Sequence, residues 1–130
     1  MSQSEVEQLI ADVAHSYGTG VNEWLDFFAD PLVFAGPENT ITFEHDAARD
    51  FFDEMRTQLR GRGLDRTEVH SVNVVMLGDD VAFADGSFVR LRSDGSLLEP
   101  FRAGYLCRRR NGRWLVVTLA PHTEVKQRGE

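Results

Sequence analysis

The chain has 130 residues, with 21 acidic against 14 basic side chains and a formal charge of −7. That length suits one domain with a core of its own, and the acidic balance repels phosphate backbones, so no nucleic-acid partner is expected. Cys107 is the single cysteine, which excludes an intramolecular disulfide. The start MSQSEVEQLI has neither the basic nor the apolar part of a signal peptide, and no apolar run reaches membrane-spanning length. A reducing cytoplasm, with no membrane partner, is the expected setting.

No repeat, low-complexity tract or linker interrupts the sequence, so residues 1–125 read as one domain and 126–130 as a loose tail. Val6, Leu9, Ile10, Val13 and Tyr17 fall on one helical face, and Gly18 and Gly20 stop that first helix, over about Ser4 to Tyr17. A second, short helix carries Val21, Trp24, Leu25 and Phe28 on one side and ends at Pro31. LVFAG, closed by Gly36 and Pro37, reads as a short strand, and TITF as another. Ala48, Phe51, Phe52, Met55 and Leu59 then form an i, i+3, i+4 stripe that ends before Gly61 and Gly63.

From Asp65 the period changes to two. Gly78-Asp79-Asp80, Asp94-Gly95 and Asn111-Gly112 separate alternating runs, and Asn-Gly supplies the positive φ that a two-residue hairpin needs. Four long strands in an antiparallel meander are expected, over about Thr67–Leu77, Val81–Arg92, Leu97–Arg109 and Arg113–His122. Strands this long in a small domain favour a strongly twisted, bent sheet with the three helices on one face, an α+β architecture.

Within VAFADGSFVRL, alternation puts Val81, Phe83, Asp85, Ser87, Val89 and Leu91 on one face and Ala82, Ala84, Gly86, Phe88 and Arg90 on the other. The first row is the more apolar, so it is expected to face inward and to bring Asp85 with it. A carboxylate among apolar neighbours needs a partner or keeps its proton, which makes Asp85 a candidate for acid–base chemistry or for a structural hydrogen-bond network. His70, Val72, Val74 and Met76 form the row of the preceding strand most like a pocket wall. A His70–Asp85 pair would act as a general base, the carboxylate orienting the ring.

The element order, with WLDFFADPLVFAGP (Trp24 to Pro37), the third helix, LGDDVAFADGSF (Leu77 to Phe88) and YLCRRRNGRWLVV (Tyr105 to Val117), resembles the nuclear transport factor 2-like superfamily over nearly the whole chain. That superfamily includes ketosteroid isomerases, scytalone dehydratase, limonene epoxide hydrolase and SnoaL-like polyketide cyclases. The resemblance implies a conical cavity between bent sheet and helices, often holding a small hydrophobic ligand, with the outer sheet face used for dimerisation. The ketosteroid isomerase site does not carry over. Gly36 stands before Pro37 where the general base belongs, and the oxyanion donor falls near Gly104, although Tyr17 could replace the first-helix tyrosine.

In the family register Phe83, Asp85, Ser87 and Val89 point into the cone. On the third long strand that register favours Gly104 and Leu106 inward, whereas composition favours Phe101, Ala103, Tyr105 and Cys107, which keeps Arg102 and Arg108 out of the core. Tyr17, Trp24, Phe28 and Phe34, with Phe52 and Met55, either fill the core or line the cone; with Val72, Phe83, Ser87 and Tyr105 they make the expected ligand-contacting set. His15, His45 and His122 have no paired spacing, so neither a metal nor a cofactor is expected.

Two functional classes stay open. One is a cofactor-independent isomerase, cyclase or dehydratase acting on a small hydrophobic polyketide-, steroid- or terpenoid-like substrate through Asp85 and His70. The other is a non-catalytic ligand-binding or dimeric assembly module. The last strand is apolar on both sides, with Trp114, Val116 and Ala120 on one and Leu115, Val117 and Leu119 on the other. One helical layer covers only one of them, so a homodimer through the outer sheet face is expected.

Overall fold

In the computed structural model, which describes residues 2–122, the helices α1 (Ser2–Tyr17), α2 (Val21–Leu25) and α3 (His45–Gly61) pack on one six-stranded sheet. The strands are β1 (Phe28–Ala35), β2 (Thr40–Phe43), β3 (Arg66–Met76), β4 (Val81–Leu91), β5 (Leu97–Arg110) and β6 (Arg113–His122). The 126–130 tail lies outside the described residues. The spatial order is β2-β1-β6-β5-β4-β3. The four-stranded meander is therefore present as expected, and β1 extends it by pairing parallel to β6. The sheet curls without closing, and the helices fill its concave side.

Phe28, expected on the second helix, instead opens β1, and Pro31 sits inside that strand. Pro31 is tolerated because the β1–β6 pairing is interrupted between Phe28 and Val33, where a missing N–H breaks no ladder. α3 starts without a cap of its own, but Asp30 of β1 accepts the His45 backbone N–H at 3.1 Å. It ends with Gly63 at a φ of 108°, the left-handed conformation that lets the Leu64 N–H reach back to the Leu59 carbonyl at 3.0 Å. The β5–β6 hairpin turns on Asn111 (φ 54°) and Gly112 (φ 77°), the conformation expected of Asn-Gly.

Two irregularities decide which residues face the helices. Between Val69 and Ser71 the β3–β4 register shifts, leaving His70 as the extra, exposed residue of a bulge. Between Leu106 and Cys107 the β5–β6 register shifts, so Trp114 and Val116 before it, and Leu119 beyond it, are all buried. The expected sorting of β6 into two apolar rows is thereby corrected: Leu119 joins Trp114 and Val116 inside, and Ala120 lies on the outer side opposite Gly104.

Candidate functional site

The core runs from the buried face of α1 (Val6, Leu9, Ile10, Val13) through the aromatic contacts of α2 and α3 to the concave sheet. Trp24 is the hub: its ring centroid lies 4.3 Å from Phe28, 4.7 Å from Phe52 and 5.0 Å from Tyr17. On the sheet, β4 turns Ala82, Ala84, Gly86, Phe88 and Arg90 inward, and the first two are fully buried. They are small because α1 crosses β3 and β4, and a helix approaches a strand closely only over small side chains.

The expected face of β4 is thus reversed. Phe83, Asp85 and Ser87 lie on the convex side, and Phe83 is 40% exposed. Asp85 is not in the cone. It accepts from Arg102 at 2.8 Å and lies 3.2 Å from His122 Nε2, in a cluster built on neighbouring strands. His70 and Asp85 do not meet, because Asn73 is the residue opposite Asp85 and the bulge turns His70 to solvent. On β5 the composition argument holds: Ala103, Tyr105 and Cys107 are buried and Phe101 packs against the core, while Arg102 and Gly104 face out.

Between helices and sheet the inward residues leave a chamber of about 70 Å³. α1 supplies Val13, Ala14 and Tyr17, α2 supplies Trp24, and α3 supplies Phe52 and Met55; Phe34 comes from β1 and Thr67 from β3. Phe88 and Arg90 of β4, Phe101 and Tyr105 of β5, and Leu119 and Pro121 of β6 complete it. Of the expected contact set, Tyr17, Trp24, Phe34, Phe52, Met55 and Tyr105 line this space. Phe28 is core behind Trp24, and Val72 faces inward beyond the chamber wall.

Phe88 and Arg90 were missed because they stand in the row judged less apolar. The turn at Asp94-Gly95 held the correcting signal. A hairpin centred there places Phe88 opposite Phe101 and Asp85 opposite Gly104, so an inward Tyr105 and an inward Asp85 are incompatible.

The polar groups of the chamber are few. Tyr17 donates its hydroxyl to the Phe52 carbonyl at 3.3 Å, and burial pushes its pKa up to about 12, against the opposing pull of the Arg90 and Arg56 charges. Burial likewise raises the Tyr105 phenol. Both are neutral at physiological pH. Arg90 reaches Glu99 at 3.2 Å and stacks its guanidinium 4.0 Å over the Phe101 ring. Burial lowers its pKa, opposed by the Glu99 carboxylate, which leaves it a cation in the cone wall. Among the described residues that line it there is neither a histidine nor a carboxylate.

Residues 4–124 match the family described as NTF2-like protein (DUF6841). The chain belongs to this NTF2-like family. Solved structures agree on the fold. An NTF2-like protein of unknown function from Shewanella oneidensis superposes with a TM-score of 0.75 at 12% identity, covering 93% of this chain and 98% of that one. A protein from Catenulispora acidiphila gives 0.73 at 21% identity, over 92% and 89% of the two chains. One from Novosphingobium aromaticivorans, provisionally named a scytalone dehydratase, gives 0.70 at 11% identity, over 95% and 85%. No curated protein matches the chain. Among the described residues, no helix of this NTF2-like chain is long and apolar enough to cross a membrane.

Proposed function

We propose that this NTF2-like protein is a binding cone for a small, largely apolar molecule, held between the aromatic helix faces and the inward row of β4. The observation that carries this reading is the chamber itself: a concave space walled by Trp24, Phe52, Phe88 and Tyr105, with polar groups at only a few points. General acid–base catalysis by Asp85 and His70 is not part of the reading, since neither reaches the chamber. Tyr17, protonated and already donating to a carbonyl, offers a ligand its oxygen lone pairs. A cytoplasmic setting fits the single, buried Cys107.

The test is a thermal-shift titration with toluene-sized neutral aromatics. Occupancy of the chamber raises Tm with ligand concentration, and Asp85→Asn leaves the dissociation constant unchanged. A ligand whose affinity falls tenfold in Asp85→Asn and is untouched by Phe88→Ala would place the site on the wrong face.

A homodimer through the convex sheet face is the second part of the proposal. Val75, 56% exposed, and Phe83 stand there beside the Asp85–Arg102–His122 cluster, an apolar patch with a polar centre. Sedimentation at tens of micromolar, a practical range for an interface of standard size, is expected to show a dimer. A monomer there contradicts it.

A further inference from the structure

We propose that the chamber's ligand is a small monocarboxylate, its carboxylate taken by Arg90 and its compact apolar body by the aromatic walls. This rests on the chamber being the binding site and adds the ligand's charge and polarity. Three observations meet at Arg90. First, its side chain is only 12% exposed, yet it stands in a wall that is otherwise aromatic and aliphatic. A buried guanidinium is costly unless anionic oxygens surround it.

Second, among the described residues one carboxylate serves Arg90. Glu99 is shared, one oxygen accepting from Arg90 at 3.2 Å and the other pairing with Arg62, so two cations stand on one carboxylate. In a chain whose net charge is −7, this leaves a local excess of positive charge beside the chamber. Third, Arg90 Nε is buried and has no hydrogen-bond partner among the described residues. That nitrogen belongs to the edge of the fork that binds a carboxylate bidentately, so the unused donor and the unbalanced charge call for the same group.

The surroundings give the ligand its path and its size. A second space, of about 290 Å³, adjoins it at Arg90 and Phe101, bordered also by Met55, Gln58, Leu59 and Arg62. Met55, Arg90 and Phe101 border both spaces, so the stacked pair stands in the wall that they share. Nε is shut from solvent in this arrangement. A carboxylate reaching it shifts part of the wall that the two spaces share, which gives the ligand's body room beyond the about 70 Å³ of the chamber. Arg62, which borders the second space and is more than half exposed, gives an incoming anion its first attraction.

The probes are phenylacetate and its neutral isostere phenylacetamide, titrated at pH 7 by calorimetry, with the Trp24 indole N–H signal followed by NMR. Phenylacetate is expected to bind at least tenfold more tightly than the amide, to weaken with added salt, and to shift Trp24. Arg90→Met is expected to remove the preference while leaving amide affinity within a few-fold. Arg90→Lys keeps the charge but loses the fork, and should retain only part of it. Equal affinity of the two probes for the unmodified protein overturns the anion anchor while leaving the apolar chamber standing. A preference that survives Arg90→Met also overturns it. Binding of neither probe, with Trp24 unmoved, overturns both. Because the acid–amide comparison and the salt dependence use the unmodified protein, a variant that fails to fold does not remove the test.

Discussion

The two faces of β4 differ less in composition than in what lies over them. The inner row holds two alanines, a glycine, Phe88 and Arg90; the outer row holds Phe83, Asp85, Ser87 and Val89. Counted by hydrophobicity, the outer row looks like the core. It is the small residues that are covered, because α1 lies against them, and the larger Phe83 is left 40% exposed. Each row also carries a charge. Asp85 outside has two basic partners in a partly buried cluster, whereas Arg90 inside, among the described residues, shares one carboxylate with Arg62. On this strand the cover that α1 provides, rather than the hydrophobicity of the row, decides which residues are buried, and each row keeps one charge.

The sharpest way to break this comparison is to remove the inner wall. Phe52 is 2% exposed and touches Trp24, Phe34 and Phe43 through its ring, so Phe52→Ala is expected to lower unfolding free energy by roughly 3–5 kcal/mol. Denaturant unfolding measures it, and a loss below about 1 kcal/mol would mean that the ring has no well-packed site.

Alkaline titration probes the same interior. Tyr17 has its folded pKa raised from 10.0 to about 12, and Cys107 from 9.0 to about 12, both by burial. Above the unfolded value the unfolded chain loses the proton while the folded chain keeps it. Stability is therefore level through neutral pH and falls as pH rises from about 9 to 12, by up to ~1.4 kcal/mol per pH unit for each group. Tyr17→Phe should flatten the part between about 10 and 12. An unchanged slope would show that the phenol is solvated.

Two glycines sharpen the contrast with a smaller effect. A Cβ at Gly86 would fall 2.4 Å from the Phe88 ring, which is 1% exposed and has nowhere to move. One at Gly104 would fall 2.9 Å from the Phe83 ring, which can swing into solvent. Gly86→Ala is expected to cost roughly 1–3 kcal/mol, and Gly104→Ala no more than about 0.5 kcal/mol. Equal costs would mean that both faces are packed alike.

Much of this fold was legible in the sequence because its signals are local. The α3 stripe, the Asn111-Gly112 turn and the alternating runs depend on neighbours in the chain, and β3 to β6 form where alternation puts them. What could not be read one strand at a time was orientation. The bulge at His70 and the register shift after Leu106 change which residues face inward, and no single strand's pattern announces them. The aromatic half of the chamber is therefore legible, from Tyr17 and Trp24 to Phe52 and Tyr105, while Asp85 lies on the side of β4 opposite to the one expected. Pairing the rows across the Asp94-Gly95 hairpin would have shown that Phe88 and Arg90, rather than Phe83 and Asp85, share a face with Tyr105.

The central claim is that the inner face of β4 is the binding face. The most direct measurement follows the aromatic ring signals of Phe88, Tyr105 and Phe83 by NMR while the protein is titrated with phenylacetate. The account predicts saturable shifts at Phe88 and Tyr105, which border the chamber, with Phe83 unmoved. Shifts at Phe83 and His122, with Phe88 and Tyr105 unchanged, would contradict it.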